Sequence, residues 1–234
     1  INVIFTTPSH HCPTAATMPL SRRKRLLAKA QELDAIIVED DYEFEMSFLE
    51  PALPALKSLD NDGRVIYVGS FSKSLFPGMR LGYLVGPAPF IKEARALRAS
   101  VFRHPPGHIQ RTAAYFLSLG HYDALIKRMS KQYEERYLEM EKSLTKFDLK
   151  IAGKAQHGGS SFWVETPKCT NAVKLAQKLL EMDVVIEPGD PFFVGENHPK
   201  NFIRLAYSSI STNKIAAGVE LIAKAISDTG PITA

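Results

Sequence analysis

Short apolar runs alternate with stretches of helical periodicity through the first half of the chain. Continuous runs of this kind, bounded by turn residues, are typical of strands covered on both faces in a parallel sheet. They lie at residues 3–6, 35–38, 65–68 and 81–85. Between the first two runs, Leu26, Leu27, Ala30 and Leu33 recur at helical spacing. We therefore predict an α/β fold with a mostly parallel, helix-covered sheet.

The pattern changes in the second half of the chain. Residues 125–147 carry apolar side chains at intervals of three and four, which predicts one long helix with a core-facing stripe. Beyond it, strand-like runs enclose two helical segments, and Ser211 and Thr212 are suitable caps for the second. The strands are predicted at 161–165, 184–187 and 202–207, and the helices at 171–181 and 213–226. This pattern indicates a smaller α+β domain, so we divide the chain into 1–120 and 121–234.

Composition and charge exclude several classes of protein. The chain has 234 residues, 45% hydrophobic and 23% charged, which excludes disorder, collagen-like repeats and a disulfide scaffold. Its net charge of +4 and evenly mixed charges do not fit a nucleic-acid-binding chain. The densest basic run, at residues 22–25, is interpreted as the solvated face of a helix. No apolar run reaches the roughly 18–20 residues of a membrane span.

The two cysteines and the scattered histidines indicate neither a disulfide framework nor a metal site. Free cysteines without a CxxC pair suit a reducing compartment, so we expect a cytoplasmic protein. The chain opens with Ile1, directly before a strand-like run, and a domain seldom begins without any lead-in. We therefore expect a fragment of a longer protein.

Reactive side chains follow two of the predicted strands. One strand leads into Glu39-Asp40-Asp41-Tyr42, and the next leads into Gly69-Ser70-Phe71-Ser72-Lys73, with Arg80 seven residues further on. Ligands of parallel α/β sheets collect outside the carboxyl ends of the strands. Each residue alone is more often a surface charge, a helix cap or a turn. The combination, in this order and after these elements, predicts a ligand site.

The residue types suit a phosphorylated pyridine aldehyde. The amine of Lys73 can form a Schiff base with the aldehyde, provided that burial or a second cation suppresses its charge. Asp40 can keep a pyridine nitrogen protonated, so that the ring serves as an electron sink. Ser70 and the forked donor of Arg80 can hold the phosphate, and Tyr42 can reach a ring oxygen.

A rival interpretation uses the same residues. The run 70–73 also matches S-x-x-K, the nucleophile motif of penicillin-recognising enzymes. That class needs an S-D-N element and a K-T-G strand, and the sequence contains neither. A bare motif is only a hypothesis, so this interpretation ranks well below the first.

Longer stretches resemble the fold-type I pyridoxal-phosphate enzymes. The residues that carry the resemblance are Glu39-Asp40-Asp41-Tyr42, 67–83, Gly158-Gly159-Ser160-Ser161-Phe162-Trp163-Val164, Val185-Ile186-Glu187-Pro188-Gly189 and 202–208. The resemblance implies that Lys73 is the Schiff-base lysine and Asp40 the partner of the pyridine nitrogen. It further implies the binding of pyridoxal 5′-phosphate by Tyr42, Ser70, Ser72 and Arg80, and of the acid group of a ligand by Arg204. Neighbouring side chains alternate across a strand, so only one of Asp40 and Asp41 can point into the site. The spacing of these residues in the family favours Asp40.

Two branches of that family compete. One is a free aminotransferase of the aminoadipate type, and the other is the effector domain of MocR-type (GntR superfamily) transcription regulators. The run Thr7-Pro8-Ser9-His10, followed by Pro13-Thr14, Thr17-Met18-Pro19 and Arg22-Arg23, resembles the regulators. Free aminotransferases carry N-P-T-G where this chain has Cys12-Pro13-Thr14-Ala15, which removes a donor to the ring oxygen.

The regulator resemblance implies an effector-sensing domain in which an amino-group effector displaces Lys73 and forms an external aldimine. The effector is an amino acid or an aminosulfonate, and Arg204 grips its acid group. Residues 120–125 resemble the taurine-responsive group. DNA binding belongs to an amino-terminal domain that precedes this chain, and the full-length protein is expected to be a homodimer.

Two alternatives stay open: a catalytic aminotransferase that uses Lys73 as general base, and a cofactor-free scaffold. We also expect the fragment alone to bind the cofactor weakly or not at all, because part of the cofactor domain precedes Ile1 in the family.

Overall fold

The structure is a computed structural model that describes residues 2–101, 103–153 and 155–228. The chain divides into two compact units, one formed by 1–11 and 17–130 and the other by 12–16 and 131–234. The division lies inside the longest helix, and the domain boundary at residue 120 stays a prediction. No helix within the described ranges is long and apolar enough to cross a membrane.

The first unit is built on a four-stranded sheet. Its elements are β1 (Asn2–Thr6), α1 (Leu20–Glu32), β2 (Ala35–Asp40), α2 (Leu56–Leu59), β3 (Val65–Ser70), β4 (Gly82–Val85), α3 (Ala88–Val101), α4 (Gly107–Ser118) and the first part of α5 (His121–Lys146). The strand order is β1-β2-β3-β4. β1, β2 and β3 run parallel, which confirms the predicted α/β class, while β4 is antiparallel to β3. Only a short 3₁₀ turn lies between β3 and β4, and a parallel strand would need a longer crossover, usually an α-helix.

One face of this sheet is buried at its centre. Side chains alternate across a strand, and in β2 every second residue from Ala35 to Glu39 is buried. The core cluster on this face comprises Ala30, Ala35, Ile37, Leu56 and Val65. On the other face Ile36 and Val38 are partly buried. The helices α1 and α2 contact the sheet on the buried face.

The second unit contains a smaller antiparallel sheet. Its elements, after the end of α5, are β5 (Lys150–Ile151), β6 (Ser161–Glu165), α6 (Ala172–Leu180), β7 (Glu187–Pro188), β8 (Phe202–Ala206) and α7 (Thr212–Ser227). The strand order is β5-β6-β8-β7. The α+β character is therefore confirmed, but the strand predicted at 184–187 is reduced to β7. Ser211 stands at the cap of α7 without a side-chain cap bond, whereas Asn171 caps α6 through Val173 N and Lys174 N.

Candidate functional site

The sheet of the first unit brings the predicted cofactor residues to one edge. β2 and β3 are parallel, with Asp40 beside Val68, so both strands end at the same edge. β4 runs the opposite way and begins at Gly82 beside Ser70, which returns Arg80 to that edge. Because side chains alternate, Asp40 and Ser70 also lie on the same face of the sheet. Asp40 and Arg80, which are 40 positions apart in the sequence, thus lie at the same edge because of the directions of the strands.

Two hydroxyl groups and one guanidinium group lie at or beyond the end of β3, on Ser70, Ser72 and Arg80. The Ser70 Oγ accepts a hydrogen bond from the Ser72 backbone N–H at 3.1 Å. The Arg80 Nη1 donates to the Ser72 Oγ at 3.4 Å, and Arg80 itself is exposed. Arg80 has a φ of 47°, a left-handed conformation that is uncommon for a residue with a Cβ atom. Hydroxyl donors beside an exposed guanidinium form a donor set that fits a phosphate group.

Lys73 follows on the turn after β3 and faces a carboxylate that the sequence analysis missed. Its Nζ lies 3.3 Å from the Glu43 Oε1. The Lys73 side chain is 45% exposed, whereas the Glu43 side chain is only 6% exposed. A possible signal was present, because Glu43 directly follows the Asp40-Asp41-Tyr42 run that carries the resemblance.

The two adjacent aspartates after β2 have different surroundings. Asp41 is buried and accepts a hydrogen bond from the Ser9 Oγ at 2.9 Å. Burial raises the pKa of Asp41 to about 7, against the lowering effect of Ser9. Asp40 is exposed by comparison, although partial desolvation still raises the pKa of its carboxyl above the ordinary value. Of the pair, Asp40 is therefore the carboxyl that a ligand at this edge can reach, and its role toward a pyridine nitrogen stays a prediction.

Arg23 is a buried cation behind this edge. It is fully buried, and its guanidinium donates to the backbone carbonyls of Met18 at 3.0 Å and of Pro54 and Pro8 at 2.9 Å each. The interpretation of residues 22–25 as a solvated face is therefore wrong at Arg23, while the other three are exposed. These bonds tie the loop before α1 to the loop before α2.

Glu39 belongs to the same buried network. Its carboxylate accepts from the backbone N–H groups of Leu56 at 2.7 Å and Lys57 at 2.8 Å. Burial raises the pKa of Glu39, and the two backbone donors and the nearby Arg23 lower it. Burial likewise lowers the pKa of Arg23, while Glu39 and Asp41 raise it. Cation and carboxylates thus stabilise each other on the face of β2 opposite Asp40.

Tyr122 and Tyr42 are associated with the segment that follows β2, Tyr122 by contact and Tyr42 as part of it. The Tyr122 Oη donates to the Glu45 Oε1 at 2.6 Å, and its ring meets Phe71 edge-on at 6.1 Å between centroids. This ties the start of α5 to the segment that follows β2. Tyr42 is partly buried in that same segment, directly after the two aspartates.

Arg204 is held in the second unit. It lies on β8, between β6 and β7, with Trp163 and Glu187 as its strand neighbours. Its Nε donates to the Ser161 Oγ at 3.0 Å, and its Nη1 pairs with the Glu187 Oε2 at 2.7 Å. The guanidinium is thereby oriented and keeps an exposed fraction of 17%. The sequence analysis quoted Glu187 for the resemblance but did not identify it as a partner of Arg204.

The described residues contain no group of three or more histidine, cysteine, aspartate or glutamate side chains that could hold a metal ion.

Comparison with known proteins matches the chain to one protein family. The family model "Aminotransferase class I and II" matches residues 2–222. The HTH-type transcriptional regulator TauR of Rhodobacter capsulatus is 56% identical over 226 residues, which are 97% of this chain and 47% of that protein. The probable rhizopine catabolism regulatory protein MocR of Rhizobium meliloti is 38% identical over 57% of this chain and 27% of its own length.

Among solved structures, LysN, the α-aminoadipate aminotransferase of Thermus thermophilus, matches with a TM-score of 0.88 and 31% identity. The match covers 96% of this chain and 58% of LysN, which is complexed there with N-(5′-phosphopyridoxyl)-L-leucine. The chain spans about half the length of the relatives it matches. The predicted fold-type I architecture and the resemblance to MocR-type regulators are both confirmed. The chain belongs to the class I and II aminotransferase family, and it is similar to the regulators TauR and MocR over part of their length.

Proposed function

We propose that this chain is the effector-sensing part of a transcription regulator that depends on pyridoxal 5′-phosphate. The observation that carries the proposal is the convergence of Asp40, Ser70, Ser72, Lys73 and Arg80 at one edge of one sheet. The regulator is favoured over a catalytic aminotransferase because identity to TauR is 56%, against 31% to LysN.

The residues at this edge of the sheet have different roles in binding the cofactor. Ser70, Ser72 and Arg80 bind its phosphate, since they supply hydroxyl donors and a fixed guanidinium. Asp40 keeps the pyridine nitrogen protonated, and Tyr42 contacts the ring oxygen. When bound, the cofactor supplies an aldehyde carbon that bonds reversibly to amines, and Lys73 is the amine on this chain.

The effector is a small molecule with an amino group and an acid group. Its amine would compete with Lys73 for the aldehyde of the cofactor, and Arg204 would bind its carboxylate or sulfonate. Ser161 and Glu187 hold the Arg204 guanidinium in one orientation for that contact. An effector shifts a conformational equilibrium only by its difference in affinity for two states, and releasing Lys73 while engaging Arg204 is such a difference.

The remaining features of the proposal concern the longer protein. DNA is bound by a helix-turn-helix domain outside this chain, as the names of the regulator relatives indicate for those proteins. We further propose that the full-length protein is a homodimer and acts in the cytoplasm.

The test uses the full-length gene product that contains this chain. It is incubated with pyridoxal phosphate, treated with borohydride and mapped by mass spectrometry. We expect the phosphopyridoxyl mass on Lys73, its loss in Lys73→Ala and its retention in Lys92→Ala, an exposed lysine on α3. Absence of label on Lys73 in the unmodified protein overturns the proposal.

Amino acids and aminosulfonates are then added with a keto acid acceptor. A spectral change without continued amino transfer supports a sensor. Sustained transfer over many turnovers overturns the sensor and establishes an aminotransferase.

A further inference from the structure

Glu43 is a buried carboxylate that lies beside Lys73, the amine that the proposed cofactor requires. Its side chain is 6% exposed, and its Oε1 lies 3.3 Å from the Lys73 Nζ. It stands directly before a 3₁₀ turn, Phe44–Met46, that keeps the segment after β2 against the site. The family resemblance assigns no role to Glu43.

The two side chains of the Glu43–Lys73 pair differ in their exposure to solvent. The carboxylate is fixed by burial, whereas the lysine side chain is 45% exposed and free to extend toward a ligand. The 3.3 Å contact joins the Glu43 carboxylate to the free Lys73 ammonium, and this ion pair is lost when the Lys73 nitrogen moves to a ligand carbon.

The exchange of amines on the cofactor can be written in balanced form. The effector enters as an ammonium ion, the bond between the aldehyde carbon and the Lys73 Nζ breaks, and a bond to the effector nitrogen forms. The proton that the effector nitrogen loses is gained by the Lys73 Nζ, so the total charge is unchanged. The product contains a Lys73 ammonium, which lies within reach of the Glu43 carboxylate.

We propose that Glu43 is a positioning residue that receives the displaced Lys73 as an ammonium and so biases the exchange toward the effector-bound state. This inference rests on the proposed function.

The first experiment needs no cofactor. The purified protein is treated with a trace of an acylating reagent, which reacts only with neutral amines. Mass spectrometry then gives the rate of acylation at Lys73. We expect Glu43→Gln to raise that rate about fivefold, the upper range for a partly exposed ion pair. Glu43→Asp, which keeps the charge, restores most of the wild-type rate. Glu50→Gln, which removes the same charge at an exposed position, leaves it unchanged.

The second experiment uses the full-length protein loaded with pyridoxal phosphate. Absorbance is followed while a series of amino acids and aminosulfonates is titrated. For an amine that binds, we expect the half-saturating concentration to rise about fivefold in Glu43→Gln and to be unchanged in Glu50→Gln. Equal values in Glu43→Gln and wild type overturn the inference and leave the proposed function standing. A wild-type protein that never labels Lys73 overturns both.

Discussion

Replacing Arg23 by methionine tests the buried network that supports the site. The substitution keeps most of the side-chain volume and removes three hydrogen bonds, to the carbonyl groups of Pro8, Met18 and Pro54. Each hydrogen bond from a charged donor contributes about 1.5–3 kcal/mol. The substitution also removes the Coulombic attraction between Arg23 and the buried Glu39. From the three lost bonds alone, we expect the free energy of unfolding to fall by at least about 4.5 kcal/mol.

Urea denaturation followed by circular dichroism measures this loss. The matched control is Arg22→Met, one residue earlier on α1, where the arginine is exposed. The control is expected to change the free energy of unfolding by less than about 0.5 kcal/mol. A loss below about 1 kcal/mol for Arg23→Met, or equal losses for the two variants, would refute the assignment of Arg23 as a buried anchor.

Two further predictions concern pH and helix capping. The pKa of Asp41 is about 7 in the folded protein and about 3.9 in an unfolded chain, so between these values the folded state alone holds the proton. The free energy of unfolding therefore falls as pH rises through this range, by at most about 1.4 kcal/mol per pH unit from this group. Asp41→Asn is expected to remove that slope, measured by urea denaturation at pH 5 and pH 7.5, and an unchanged slope contradicts the assignment. Asn171→Ala is expected to cost about 1 kcal/mol of stability, because its Oδ1 accepts from Val173 N and Lys174 N at 3.1 Å each. Ser211→Ala is the control with little expected effect, since Ser211 makes no cap bond, and equal losses in thermal unfolding would count against the cap.

The strands and helices were predictable because each leaves a local signature. The β2 strand shows it well: a continuous apolar run places one set of side chains on each face, and the run ends where charged residues begin. The position of the residues proposed to bind the cofactor was predictable for a related reason. They directly follow strands, and parallel strands end at the same edge of a sheet.

Other features depended on partners far away in the sequence. Arg23 is as basic as its three neighbours, and nothing in the local sequence indicates its contact with Pro54, 31 residues later. Glu43 and Glu187 likewise show no local sign of a partner, and the structure places Lys73 and Arg204 beside them. The antiparallel direction of β4 likewise depends on how its connection to β3 folds.

By itself, the sequence determined the order and type of the elements and the set of residues at the strand ends, because periodicity and strand direction are local properties of the chain. The tertiary structure decided which charges are buried and which of them are paired. Pairing requires two side chains within a few ångströms, and that distance is set by the packing of segments whose spacing along the chain carries no such information.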